Sequence, residues 1–440
     1  MHIIQKSTIA GAIALAVAHT ASAGTAPYFV PLTQSPNVGA PNDVSELNHP
    51  WIAPAGMGQS NLMSMQEVES DVSQSIQRVP AGTSSTMFDM IAYSPDGNYL
   101  FIPHETPFGA GISRYDIAND ETQLIFAGDE NGPGPDNSRD TGDDDWSKDF
   151  GAFDPSRFTP NGTVWGAEEW SGRGRVVEIC DPWDTPANPT ADVLVEGDCD
   201  AGGDWRVITS VASVSHEGIN FSQKHLNEVI YYIDEDRSGS IYKLVLNTPG
   251  DYNGGGTTYV LGNSAFQAAG GDVTRDVAGD DFADPTNPNS NPGVLASRFG
   301  LGEWVELSAA NGLTVDPFTP DINGGCGAAN AEDRCREDEI RPGRTAADEV
   351  GGLPFGRPED QAVGMLPNGN EILYITTTSE NAVISIEETA AGPFVRLFAS
   401  HDGSPDESGA GTAKNVGFNP TTGTLSAPDN LAIDALGNVY

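Results

Sequence analysis

From Phe88 onward the chain is written in short apolar runs with polar alternation, punctuated by Gly, Asn and Pro. Such runs read as strands joined by tight turns, and no stretch sustains a helical period. One plan recurs: an acid, a strand, a turn, a second strand, then further acids. It is fullest in Ser213–Asp236, SVSHEGINFSQKHLNEVIYYIDED. The other copies are Asp89-MIAYSPDGNYLFIP-His104-Glu105, Asp149-FGAFDPSRFTPNGTVWGA-Glu168-Glu169, Glu359-DQAVGMLPNGNEILYITTTSE and Asp429-NLAIDALGNVY.

The leading acids, Asp89, Asp149, Glu217, Glu359 and Asp429, recur every 60 to 70 residues or so, with one interval of twice that length. A degenerate copy is therefore expected between Asn247 and Val350, keeping some strand around Glu303–Val315. Repeats of this size each hold a four-stranded sheet. The expected fold is all-β, a six-bladed β-propeller spanning 87–440. It carries a loop-rich insertion at about 246–350, and its last blade is truncated at Tyr440. Residues 24–86 are Pro-, Ser- and Gln-rich and read as an irregular segment with one short helix over Ser64–Val79.

The first 23 residues change the compartment. They combine Lys6, a short apolar stretch and an Ala21-Ser22-Ala23 cleavage site, which is the plan of a secretory signal peptide. The mature chain is expected to be exported, periplasmic or extracellular, with no membrane insertion. In that setting Cys180, Cys199, Cys326 and Cys335 are expected to pair as neighbours in two disulfides.

The formal charge is −42, from 63 acidic against 21 basic residues. A nucleic-acid partner is disfavoured, because phosphate backbones need a basic footprint. Most of these acids suit a solvated coat. A minority are expected to hold calcium, because hard cations take clustered carboxylates. In a propeller the acids opening each first strand meet at the axis, and those ending each second strand form another ring beside them. The candidate metal ligands are Glu105, Glu168, Glu169, Glu217, Asp234, Glu235, Glu359 and Asp429. Asp129–Asp149 is Asp-dense and reads as a flexible, solvated loop. His104 and His216 each precede a glutamate and are expected as supporting residues. Arg357, two residues before Glu359, is the candidate to clamp an anionic substrate group.

The stretches FDMIAYSPDGNYLFIPHE, GTVWGAEEW, SHEGINF, VIYYIDEDRSGSIYKLV, GRPEDQAV and SAPDNLAID resemble the PhoX-type alkaline phosphatases, in that family's order. The resemblance implies a six-bladed propeller with axial calcium and iron, hydrolysing phosphate monoesters of small substrates outside the cytoplasm. It carries the family's ligand roles onto Glu105, Glu168, Glu169, Glu217, Asp234, Glu235, Glu359 and Asp429, and the arginine role onto Arg357. Two features depart from the pattern. The family's cysteine before the paired glutamates is Ala167 here, which argues against iron and leaves calcium. The twin-arginine export signal is also absent. Two readings stand beside the phosphatase: a calcium-stabilised propeller that binds a ligand or surface partner without chemistry, and a calcium-dependent propeller esterase or lactonase.

Overall fold

The computed structural model describes residues 62–64, 67–68, 88–136, 143–170, 172–273, 287–308, 311–320, 322, 342–400, 425, 427–433, 437 and 439. The expected signal peptide and the expected Cys326–Cys335 pair lie outside them, as does most of the expected Ser64–Val79 helix. What is described of that helix is its start. Ser64 and Glu67 bond reciprocally, Ser64 N to Glu67 Oε2 at 2.7 Å and Glu67 N to Ser64 Oγ at 3.2 Å. This is a capping box.

The described residues are mostly β, in four antiparallel sheets laid out in sequence order. The first holds β1 (Ala92–Tyr93), β2 (Tyr99–Pro103), β3 (Gly111–Asp116) and β4 (Glu121–Ala127). The second holds β5 (Phe153–Phe158), β6 (Val164–Glu168), β7 (Val176–Ile179) and β8 (Trp205–Val207). The third is built from β9 (His216–Phe221), β10 (Val229–Asp234), β11 (Ile241–Leu246) and β12 (Gly256–Gly262). Two short strands follow, β13 (Gly300–Leu301) and β14 (Glu303–Glu306). The fourth sheet holds β15 (Pro358–Met365), β16 (Glu371–Thr377), β17 (Ala382–Thr389) and β18 (Gly392–Ser400). The first strand of each sheet is innermost: β5 adjoins β1 and β2, β9 adjoins β5, and β15 adjoins β9.

Between 246 and 350 the described residues form no sheet of their own. Instead β14 pairs with β12 on the outer edge of the third sheet, and β13 pairs with β18 on the outer edge of the fourth. The expected degenerate blade is thus a strap across two existing ones, covering strand edges that would otherwise present unpaired backbone groups.

Each sheet is buried on both faces, because its neighbours pack against it on either side. Tyr232 joins the core shared with the second sheet, with Trp165, Val176 and Ile219. Its neighbour Tyr231 points the other way, into the core shared with the fourth sheet, with Ile233, Leu373 and Ile375. A strand with two buried faces reads as the unbroken run VIYYI rather than as alternation. Polar ties add to these cores. Buried Glu371 of the fourth sheet accepts from Ser222 Oγ, Gln223 N and Tyr231 OH of the third at 2.9, 2.6 and 3.0 Å.

The second sheet carries the disulfide Cys180–Cys199, which closes a loop outside β7. That loop lays Trp183 against Tyr99 and Phe101 of the first sheet, with ring centroids 5.2 and 5.7 Å apart. Among the described residues no helix is long and apolar enough to cross a membrane.

Candidate metal centre

Pairing registers show which acids are equivalent. Phe153 lies opposite Glu168, His216 opposite Asp234, and Pro358 opposite Thr377. One residue further along each first strand stands an acid: Asp154, Glu217, Glu359. In each of these pairs the register slips at this point by a bulge. A bulge re-aims a side chain locally, and here it accompanies each axial acid.

The backbone before the acid repeats as well. Ala152, Arg357 and Ala427, each two residues before an acid, have φ of 47°, 49° and 42°. Left-handed backbone at a residue other than Gly costs of the order of 1 kcal/mol and must be held by its surroundings. The supports are on the page: Ala152 N bonds Thr106 O at 2.6 Å, Thr378 N bonds Arg357 O at 3.0 Å, and Ala427 N bonds Asn381 Oδ1 at 2.7 Å. Tight packing accompanies the kink. A Cβ on Gly218, next to Glu217, would come within 3.0 Å of the Gln361 backbone nitrogen, so only glycine lets β9 and β15 approach so closely.

Two groups of carboxylates result. Asp89, Asp154 and Glu217 bring oxygens within 4.8 Å of one another, and so do Glu217, Glu359 and Asp429. Glu217 belongs to both. Asp89 Oδ1, Asp154 Oδ1 and Glu217 Oε2 are buried with no hydrogen-bond partner. Burial, reinforced by the neighbouring acids, pushes the Asp154 and Glu217 carboxyls well above the usual range. Burial likewise pushes Asp89 up to about 6, with Asp429 and Glu359 adding to it against a hydrogen bond from Asn430. Carboxylates so placed must share protons or a cation. The donors are all hard oxygen, which suits a calcium-type ion and offers no thiolate to a soft one.

The second ring follows the period of the strand. Glu105, Glu169 and Glu235 stand one residue beyond His104, Glu168 and Asp234, so the two sets face opposite ways. Glu105, Glu169 and Glu235 all act on Asp154 through their charge. Glu168 and Asp234, expected as ligands, take the other direction. Arg175 grips both oxygens of Glu168, at 2.7 and 2.9 Å, and Gly151 N adds a bond at 3.1 Å. Asp234 Oδ1 accepts from Ser215 N at 3.2 Å, and its charge falls on Tyr232 and Tyr242 in the core.

Arg357 pairs with Glu235 through Nη2 and approaches Glu359 Oε1 at 3.5 Å. Burial alone would lower its pKa; Glu235 and Glu359 outweigh that and raise it. Its side chain remains 34% exposed, so the guanidinium is within reach of solvent. His104 and His216 are fully enclosed, and burial takes both down to about 3, so they are neutral. His104 Nε2 meets Ser113 Oγ at 2.8 Å and His216 packs on Tyr232. Both brace strands behind the acids.

Asp149, the leading acid of the second unit in the sequence pattern, is displaced from the axis by Asp154. It is buried in the wall, accepting from Gly109, Gly132 and Phe150 N–H groups at 2.8 Å each. Burial pushes it up to about 6 despite those bonds. The last residues of the expected solvated loop are docked: Arg175 donates to Trp146 O at 2.8 Å and to Asp149 O at 2.7 Å. Asp154 was legible had FDPSRF been laid on HEGINF and PEDQAV. Nothing in the sequence marked Arg175.

The profile of the family described as alkaline phosphatase PhoX matches residues 206–440. No curated protein matches the chain in sequence. Among solved structures the chain is similar to Pseudomonas fluorescens PhoX in complex with vanadate, a transition state analogue, at 16% identity over 80% of this chain and 73% of that one, TM-score 0.43. It is also similar to a proposed 6-phosphogluconolactonase from Bacteroides uniformis, at 14% identity over 82% and 85% of the two chains, TM-score 0.33.

Proposed function

Because the chain belongs to the alkaline phosphatase PhoX family, we propose that it is a metal-dependent phosphomonoesterase whose chemistry takes place at the axial carboxylates. The observation that carries this reading is the pair of triads sharing Glu217, with Arg357 beside them. Asp89, Asp154, Glu217, Glu359 and Asp429 would hold the cations, with Glu105, Glu169 and Glu235 around them. Calcium fits these donors best, and Ala167 supplies no ligand where the family resemblance implies a cysteine for iron. Bound cations would offset the charge of the phosphoryl oxygens and activate water.

The protein's own part is recognition and charge placement. Arg357 presents a planar donor fork suited to two non-bridging phosphate oxygens, and Glu235 and Glu359 keep it oriented and charged. Ala152 and Ala427 occupy the corresponding places in other units, so the cation is confined to one side of the ring. The left-handed backbone at Arg357 turns its side chain and that of Glu359 toward the same cluster. The signal-peptide pattern and the Cys180–Cys199 disulfide support a place outside the cytoplasm.

The test is turnover of p-nitrophenyl phosphate by full-length protein stripped with chelator and refilled with calcium. Turnover that returns with calcium, and falls roughly a hundredfold in Arg357→Lys, is the expected result. If calcium raises the melting temperature but no phosphate ester is cleaved, the non-catalytic propeller takes the place of this reading. Cleavage of a lactone alone would indicate the esterase.

A further inference from the structure

The fourth sheet departs from its neighbours at one position of the second ring. Where the other sheets carry Glu105, Glu169 and Glu235, it carries Thr378. The Thr378 hydroxyl donates to Glu359 Oε1 and also lies 3.2 Å from Pro428 O. Two residues earlier, on the same side of the strand, Thr376 Oγ1 accepts from Asp360 N at 3.0 Å and donates to Asp429 O at 2.5 Å. Asp360 in turn accepts from Leu431 N at 3.0 Å. The chain around Glu359 and the chain around Asp429 are therefore knit together through two hydroxyls spaced one strand period apart.

We propose that Thr378 is a positioning residue for the triad Glu217–Glu359–Asp429, setting the spacing of Glu359 against Asp429 and with it the affinity of that triad for a divalent cation. The inference rests on the reading that these carboxylates hold cations. Asp429 is exposed, so its position depends on the ties around it. Thr378 shares its one proton between the carboxylate and the carbonyl of the residue before Asp429. A glutamate at this place would add another carboxyl to a cluster that is already crowded. A hydroxyl contributes a donor, holds Glu359 in one rotamer, and leaves its own lone pairs within the site. Groups that orient a metal ligand in this way are worth about tenfold or more in metal affinity.

Thr378→Val keeps the shape and deletes the hydroxyl, whereas Thr378→Ser keeps the hydroxyl. Calcium binding to the chelator-stripped full chain, followed by titration calorimetry, reads the effect without any substrate. The expected result is about tenfold weaker calcium binding in the valine variant and affinity restored in the serine variant. Equal affinity in wild type and Thr378→Val overturns the proposal and leaves the metal reading intact. No calcium binding by wild type overturns both. The melting temperature in chelator shows whether the valine variant folds. If it does not, the serine variant decides: calcium affinity as in wild type is the expected result, and a loss of about tenfold in Thr378→Ser overturns the proposal.

Discussion

Asp154 and Glu217, on the innermost strands of the second and third sheets, hold carboxylate oxygens within 4.8 Å of each other, and each has an oxygen with no hydrogen-bond partner. Their mutual repulsion costs the metal-free protein stability, and the same arrangement favours a cation. The two effects carry opposite signs in one substitution. Asp154→Asn is expected to raise the melting temperature in chelator and to weaken calcium binding at least about tenfold, since affinity at such sites follows ligand charge. Calorimetry and thermal denaturation check both. A variant that is less stable in chelator would show that Asp154 is a structural acid.

The effect of pH follows from the raised carboxyls. Asp89 titrates at about 6 in the folded, metal-free protein, above its ordinary value. A folded-state pKa raised in this way favours folding while the group is protonated, so the contribution is largest at low pH and is lost as pH rises through about 6. Burial and the neighbouring acids push Asp154 and Glu217 in the same direction. Calcium relieves the charge that deprotonation creates. The stabilisation by calcium, measured as the melting-temperature difference against chelator, is therefore expected to grow as pH rises through about 6. A difference independent of pH would remove these carboxylates from the calcium site.

The Glu168–Arg175 pair gives a contrasting case. It is enclosed, with side chains 0% and 4% exposed, and it anchors the Trp146–Asp149 backbone. Removing one partner of a buried pair leaves an uncompensated charge and costs about 3–5 kcal/mol. Arg175→Met is expected to lose that much in chemical denaturation while calcium continues to raise its melting temperature. If calcium instead restored the full loss, Glu168 would be a ligand after all.

Much of this was legible from residues alone. The repeat of acid, strand, turn and strand identifies the sheets, and four of the expected units fold as such. Glu217, Glu359 and Asp429, which the structure brings together, were legible as a set because each opens its copy of the repeated unit. Asp154 was hidden by a second acid, Asp149, placed just before the strand, and only the register across to Glu168 separates them. Parity was the other obstacle. Glu168 and Glu169 are indistinguishable as letters, yet a strand turns neighbours to opposite faces, so only one of the two can face the axis. The strap formed by β13 and β14 was read as a degenerate blade because length alone cannot say whether a strand starts a new sheet or finishes an old one.

The axial acids come from separate sheets and from positions as distant in sequence as Asp89 and Asp429. A cation held among them would join the ends of a very long loop of chain, and the entropy so removed from the unfolded state grows only slowly with loop length. It would serve as a removable counterpart to the Cys180–Cys199 bridge. The covalent bond secures one short loop permanently, whereas an ion in either triad would fasten the innermost strands of separate sheets once they are in place, and would let go when chelated.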